Sequence, residues 1–347
     1  MFAHQRRLSL EALHRALVQL PTYRSVPQDR LELLPHHGVA HDHVRIRGRR
    51  AVIRVPRLSQ FRLEPRANLA YQAQCFARAE RSGATPALHA IIQPAPELPS
   101  GALVVADVPG NPPKLPRDLP AMAASLAAVH SMPMPAPAMR PPLADHPDPV
   151  AGTLGFIEVQ AAYLERAVQH PTSLHQIQAE LAWAREFAAA NRGKPQPQAL
   201  VLTDVHPGNF LVHKSRAVFV DLEKLVYGSP AADLAHASLY TSTLWDRRVA
   251  AVLSRPERDQ FYRHYLTLVG PRRAAALAPW LQPFRRLIWL RTTTWCARWM
   301  VLSSESGSDW SDQALPADLR DYTRARVADF LHPETIDRIR SEWLAAD

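Results

Sequence analysis

The sequence predicts an α+β chain in two parts, a small β-rich N-terminal part and a larger, mainly helical C-terminal part. Three observations carry this expectation. Short β-rich runs cluster between residues 36 and 106. Helical periodicity dominates from residue 119 to the C-terminus. One compact island of strand-like pieces, LVLTDVHPGNFLVHKSRAVFVDLEKLVYGSPAADLA from Leu200 to Ala235, interrupts the helices with acids at the ends of apolar runs.

In chain order, MFAHQRRLSLEALHRALVQLP reads as an amphipathic helix broken by charges, which is unlike a signal peptide. Residues 36–58 read as a hairpin, HDHVRIRG and RRAVIRVPR around Gly48. A helix follows at about 66–82, with Leu69, Phe76 and Ala79 at helical spacing. Gly83 and Pro86 break it before an extended segment, and GALVVADVPGN is a buried strand running into a loop. LPAMAASLAAVHSM is a helix over 119–131. Seven prolines between Pro133 and Pro149 then exclude helix and sheet interior. Helices return at 154–170 and 173–191, and after the acidic island the chain is mostly helix. The expected division is 1–106 and 107–347.

Composition narrows the class. The chain has 347 residues, of which 47% are hydrophobic, enough for a large core. Two distant cysteines, Cys75 and Cys296, support neither a disulfide framework nor a zinc site. No apolar run is long enough to span a membrane, and the expected location is the cytoplasm. Net charge is +9, with thirteen Arg against five acids in residues 1–66. Such bias suits anionic partners, but Ala, Arg and Pro rise together here, so charge alone decides nothing. Nucleic-acid binding is not expected, because no basic stripe interleaved with aromatics is present.

The island carries the chemistry. TDVHPGN is a loop between two strand-like pieces, and RAVFVD is a further buried strand ending at Asp221. A tight strand–turn–strand would put Asp204, Asn209 and Asp221 at one end of a small sheet. Carboxylates and an amide oxygen are hard ligands suited to Mg²⁺, and a carboxylate off the metal can receive a hydroxyl proton. Asp and Asn also cap turns, but D-x-x-x-x-N, then Asp221-x-Glu223, then G-S-P-x-x-D-L-A is a much rarer combination.

This combination resembles the catalytic segment of the aminoglycoside phosphotransferase/choline kinase family, which shares the two-lobed fold of protein kinases. The resemblance spans about 30–305 and is densest over 200–236. It implies Asp204 as the base that orients the acceptor hydroxyl, Asn209 and Asp221 as Mg²⁺ ligands, and ATP as phosphoryl donor. Glu223 stands where the family often has a second acid; it is read as a metal ligand or as the partner of a nearby Arg. Asp233 resembles an acid that holds the loop, and His206 a brace. Where the family often writes H-G-D, this chain has Leu202-Thr203-Asp204.

On the nucleotide side, the resemblance places Arg54 at the position usually given to a phosphate-binding Lys. Counting back from Gly83 places Gln72 at the helix position that normally supplies its Glu, giving an expected Arg–Gln pair. HHGVAHDH occupies the place of the phosphate-covering loop with a single glycine, Gly38. His41 and His43 there are read as phosphate contacts or, more simply, as exposed histidines. Val105 and Asp107 are expected to offer backbone groups to adenine. On the acceptor side, Arg291, Trp295 and Arg298 share a helical face in a stretch, 274–304, that has no acid. It reads as a pocket wall for an anionic or aromatic acceptor, or as core tryptophans and solvated arginines, and it speaks against a polycation. The reading is a Mg²⁺- and ATP-dependent kinase of a small hydroxylated metabolite; the rival is a non-catalytic nucleotide-binding regulator of the same fold.

Overall fold

In this computed structural model, residues 8–35, 40–305 and 317–344 are described. They divide into two compact units, Met1–Gly110 with Val218–Lys224, and Asn111–Ala217 with Leu225–Asp347.

The first unit is built on an antiparallel sheet. Helix α1 (Leu10–Leu17) is capped by the Ser9 hydroxyl and buries Ala12, Leu13 and Leu17. Strands β1 (Leu31–Leu33), β2 (His41–Ile46) and β3 (Ala51–Pro56) follow, then helix α2 (Pro65–Ala79), β4 (Leu88–Ile92) and β5 (Ala102–Ala106). The sheet order is β1-β2-β3-β5-β4. Alternation along each strand sorts the side chains by face. Val44, Ile46, Ala51, Ile53, Val55 and Val104 join Leu13 and Leu17 in one apolar cluster. Arg54, between Ile53 and Val55, therefore points to the opposite face, where its guanidinium lies 5.5 Å from the Phe76 ring centroid of α2. The returning segment 218–224 is anchored by the fully buried Phe219 and Leu222, and Phe219 N–H donates to the Ala84 carbonyl.

The second unit is mainly helical: α3 (Leu119–His130), α4 (Pro149–Ala161), α5 (Leu164–Ala167) and α6 (Pro171–Asn191) precede the strands. The strands are β6 (Ala199–Val201), β7 (Phe210–His213), β8 (Arg216–Phe219) and β9 (Val226–Gly228). Helices α7 (Pro230–Ser238), α8 (Tyr240–Thr243), α9 (Arg255–Val269), α10 (Pro271–Ser304), α11 (Ala317–Phe330) and α12 (Pro333–Leu344) complete it. The long α10 packs on α4 and α7. The proline-rich link lies along β9: His146 N–H donates to the Tyr227 carbonyl, and Tyr227 N–H donates to that of Ala144.

The island does not form the single strand–turn–strand expected from the sequence. β6 pairs with β9, while β7 pairs with β8. The apolar pieces flanking the loop are thus not partners of each other. Asp204 and Asn209 belong to the second unit, and Asp221 and Glu223 to the first.

Gly101 opens β5 at φ +61°, and a Cβ there would lie 2.5 Å from the Ile92 carbonyl oxygen and 2.7 Å from Leu69 Cδ2. Both backbone strain and overlap act against any side chain. Gly101→Ala is expected to cost more than about 2 kcal/mol, read as a lower urea midpoint at unchanged m-value.

Candidate active site

Two constellations emerge, one in each unit. In the second, Asp204 follows a sharp turn. Asp204 N–H donates to the Leu202 carbonyl at 2.9 Å, leaving Thr203 at the centre of a three-residue turn with φ +65°. That is the rarer, strained hand for such a turn, and a β-branched residue suits it poorly. What holds it is a buried carboxylate. Asp233, fully buried on α7, accepts from Leu202 N–H at 2.6 Å and Thr203 N–H at 2.9 Å. From α3, His130 Nε2 lies 3.0 Å from Asp233 Oδ2, and its Nδ1 lies 2.8 Å from the Tyr265 hydroxyl. Nε2–H donates to the Asp233 carboxylate, and Nδ1 shares a hydrogen bond with the Tyr265 hydroxyl. On the turn's other side, Arg291 donates to the Thr203 carbonyl at 2.8 Å. Burial lowers the pKa of Arg291, and the charges of Asp204 and Asp233 oppose that shift. The loop-holding role expected of Asp233 is what the hydrogen bonds show.

Asn209 is oriented by the same loop. Its Nδ2 donates to the Asp204 carbonyl at 2.9 Å, and its N–H to the His206 carbonyl at 3.0 Å. The side-chain oxygen thus stays an acceptor, as a metal ligand requires. Gly208 precedes it because Asp246 sits directly on the loop: a Cβ at 208 would lie 2.3 Å from Asp246 Oδ2. Burial would raise the Asp246 pKa, but its bonds from Arg248 hold the carboxyl below its ordinary range.

In the first unit, Arg54 (6% exposed) donates to Asp221 Oδ1 at 2.7 Å and to the Val220 carbonyl at 3.0 Å. Gln72 (1% exposed) faces the same cluster from α2, but its hydrogen bond goes to His41 Nε2 at 3.0 Å. The expected Arg54–Gln72 pair is therefore replaced by two others, Arg54 with Asp221 and Gln72 with His41. A buried guanidinium takes a charged partner in preference to an amide. His41 is not an exposed histidine: it is 5% exposed, and its Nδ1 lies 3.6 Å from Oε2 of Glu223 (4% exposed). Burial first, then the Arg54 charge, push the His41 pKa down to about 4. One ligand atom from each of His41, Asp221 and Glu223 can be chosen so that all lie within 4.8 Å of one another. Two carboxylates and an imidazole at that spacing fit a divalent cation.

Other expected positions differ. Asp107 N–H donates to the Arg50 carbonyl at 3.1 Å, and its carboxylate accepts from Arg45 at 2.8 Å, so that amide is not available to adenine. Val105 lies inside the sheet, opposite Val52 on one side and Leu88 on the other. Gly38 lies outside the described residues. On α10, Trp289 and Trp299 are core. Arg285 pairs with Glu342 at 2.5 Å, and Arg286 pairs with Glu180 and stacks on Trp183. Acids from α6 and α12 pair with these two arginines, which weakens the compositional argument for an anionic acceptor. The acid-free run shows only where the partners are not.

The strained turn gives a direct test. Thr203→Gly removes the positive-φ penalty and is expected to stabilise the chain by about 1 kcal/mol after the entropy cost of glycine. A denaturant midpoint that fails to rise would mean the turn is not strained.

The chain matches the phosphotransferase enzyme family over residues 32–277. Among solved structures it is similar to a choline/ethanolamine kinase family protein from Mesorhizobium loti (TM-score 0.60, 17% identity, covering 95% of this chain and 98% of that one). It is also similar to choline kinase from Cryptosporidium parvum (TM-score 0.61, 11% identity, 97% and 100%). A third is the ADP-bound aminoglycoside phosphotransferase APH(2'')-Ib (TM-score 0.57, 12% identity, 94% and 98%). No curated protein sequence matches. At these identities the solved structures speak for the fold alone; the family match covers most of the chain and speaks for descent. The chain therefore belongs to the phosphotransferase enzyme family, with the kinase-like fold of its choline kinase and aminoglycoside phosphotransferase neighbours.

Proposed function

We propose that the protein transfers the γ-phosphate of ATP to a hydroxyl of a small molecule, with a divalent cation such as Mg²⁺ as cofactor. The single observation that carries this is the loop built to present Asp204. Asp233 and Arg291 hold a strained turn just before it, and Asn209 is tied to its carbonyl. Strain is retained at sites where geometry matters more than stability. Asp204 is partly exposed, and in this reading it orients the acceptor hydroxyl and takes its proton.

On the nucleotide side, Arg54 is the cation for phosphate oxygens and Asp221 the principal metal ligand, with Glu223 in support. A divalent cation held there would offset charge on the β- and γ-phosphates. Arg54 carries a permanent charge and a planar fork suited to phosphate. The Arg54–Asp221 pair holds both side chains in place before a nucleotide arrives. The solved neighbours include an ADP-bound and a GDP-bound phosphotransferase, which supports a purine nucleotide as donor. The acceptor in this reading is an alcohol.

The rival reading is a nucleotide-binding regulator of the same fold, and Gln72 favours it, since an amide there gives Arg54 no charged helix partner. Two variants separate the readings. Asp204→Asn is expected to keep nucleotide affinity and cut turnover by at least ~10²-fold. Asp221→Ala is expected to abolish metal-dependent nucleotide binding in calorimetry with a nonhydrolysable analogue. Equal turnover in Asp204→Asn would end the base assignment; unchanged metal-dependent binding in Asp221→Ala would end the metal assignment.

A further inference from the structure

We infer that the alcohol accepted by this chain carries an anionic group, a carboxylate or a phosphate, and that Arg298 receives it. The inference rests on the reading above that Asp204 orients the acceptor hydroxyl.

Its basis is the face that α10 turns to the Asp204 loop. Arg291, Trp295 and Arg298 follow at i, i+4 and i+7, so the helix brings all three to one side. Two contacts tie that side to the loop. Arg291 donates to the Thr203 carbonyl at 2.8 Å. The partly exposed Trp295 ring meets the partly exposed Trp245 ring edge-on, with centroids 5.2 Å apart. The residue after Trp245 is Asp246, the side chain that lies against Gly208 in the same loop. Arg298 therefore stands two helical turns, about 10 Å along the axis, beyond the arginine that holds the turn before Asp204.

The partners along this helix single Arg298 out. Arg285 has Glu342, Arg286 has Glu180, and Arg291 has the Thr203 carbonyl. Arg298 makes no hydrogen bond and no ion pair among the described residues. It is partly exposed, and of its three nitrogens only Nε is sealed from solvent without a partner. Packing thus fixes the inner end of the guanidinium and leaves the terminal nitrogens open. Arginine stays protonated in proteins, and a half-buried charge without an anion is held against its own desolvation. Its terminal nitrogens match the paired oxygens of a carboxylate or phosphate. An acceptor lying along this face would meet Arg298 with its anion, Trp295 with its carbon skeleton and Asp204 with its hydroxyl. A cationic acceptor would meet a like charge at the same place, whatever the tryptophan rings offer it.

The test presents the full chain with separate pools of hydroxy acids, of sugar and polyol phosphates, of neutral sugars and polyols, and of amino alcohols. Each pool is read without nucleotide by saturation-transfer NMR, for binding, and with ATP and Mg²⁺, for transfer. Binding and transfer are expected in an anionic pool, and which of the two responds tells carboxylate from phosphate. For the best anionic compound, Arg298→Gln is expected to raise KM about tenfold or more while kcat stays within about threefold. Arg298→Lys is expected to recover part of that loss, since it keeps the charge and loses the fork. If Arg298→Gln does not fold, Arg298→Lys carries the test: a raised KM at retained kcat upholds the site, and an unchanged KM overturns it. No anionic compound bound or phosphorylated, preference for a neutral or cationic pool, or unchanged anion binding in Arg298→Gln also overturns it. Anion binding that Arg298→Gln abolishes, in a chain that transfers no phosphate, would uphold this site and sink the kinase reading. Transfer to neutral or cationic alcohols alone would do the reverse.

Discussion

The second unit depends on one buried charge. Asp233 has no exposed surface, and its carboxylate accepts two successive backbone amides and faces Nε2 of His130. An ion in that position is costly unless every acceptor site is used. Satisfying it fixes Leu202 and Thr203, and that dictates where Asp204 begins. Tyr265 on α9 and His130 on α3 complete the chain of bonds, so helices remote in sequence are tied to the loop. The positive φ of Thr203 is the local cost of the arrangement.

In the first unit the corresponding constraint is the burial of Arg54. Strand alternation turns it away from the α1 core, and a buried guanidinium must find an anion. It finds Asp221, 167 residues later in the chain. This pair, with Phe219 and Leu222 in the core, is why residues 218–224 pack with the N-terminal sheet although their neighbours on both sides belong to the other unit. His41, Gln72 and Glu223 fill the rest of the cluster, and burial with the Arg54 charge holds the His41 pKa down.

Much of this was legible in the sequence, and the exceptions have a common cause. Helix α2, the β2–β3 hairpin and α3 follow from local periodicity and breakers. The family resemblance implied that Asp233 holds the loop, as its hydrogen bonds do, and it is the source of the roles proposed for Asp204, Asn209 and Asp221. Partners that come from far along the chain left no local mark. Nothing near Leu200 says that β6 pairs with β9 and not with the nearer β7. Nothing near Gln72 says that it serves His41. Arg291 was read as pocket wall or solvated surface, yet it holds the Thr203 carbonyl. One signal was available and unused: where the resembling family often has glycine, this chain has Thr203, and that substitution marked a position of positive φ.

The central claim is that the two constellations serve phosphoryl transfer to an alcohol, and ³¹P NMR of the wild-type chain tests it most directly. The protein is incubated with ATP, Mg²⁺ or Mn²⁺, and pools of small hydroxylated metabolites. The account predicts a new phosphomonoester resonance in at least one pool, growing as the γ-phosphate signal falls. Nucleotide that binds with its triphosphate intact, and no ester in any pool with either metal, would contradict it.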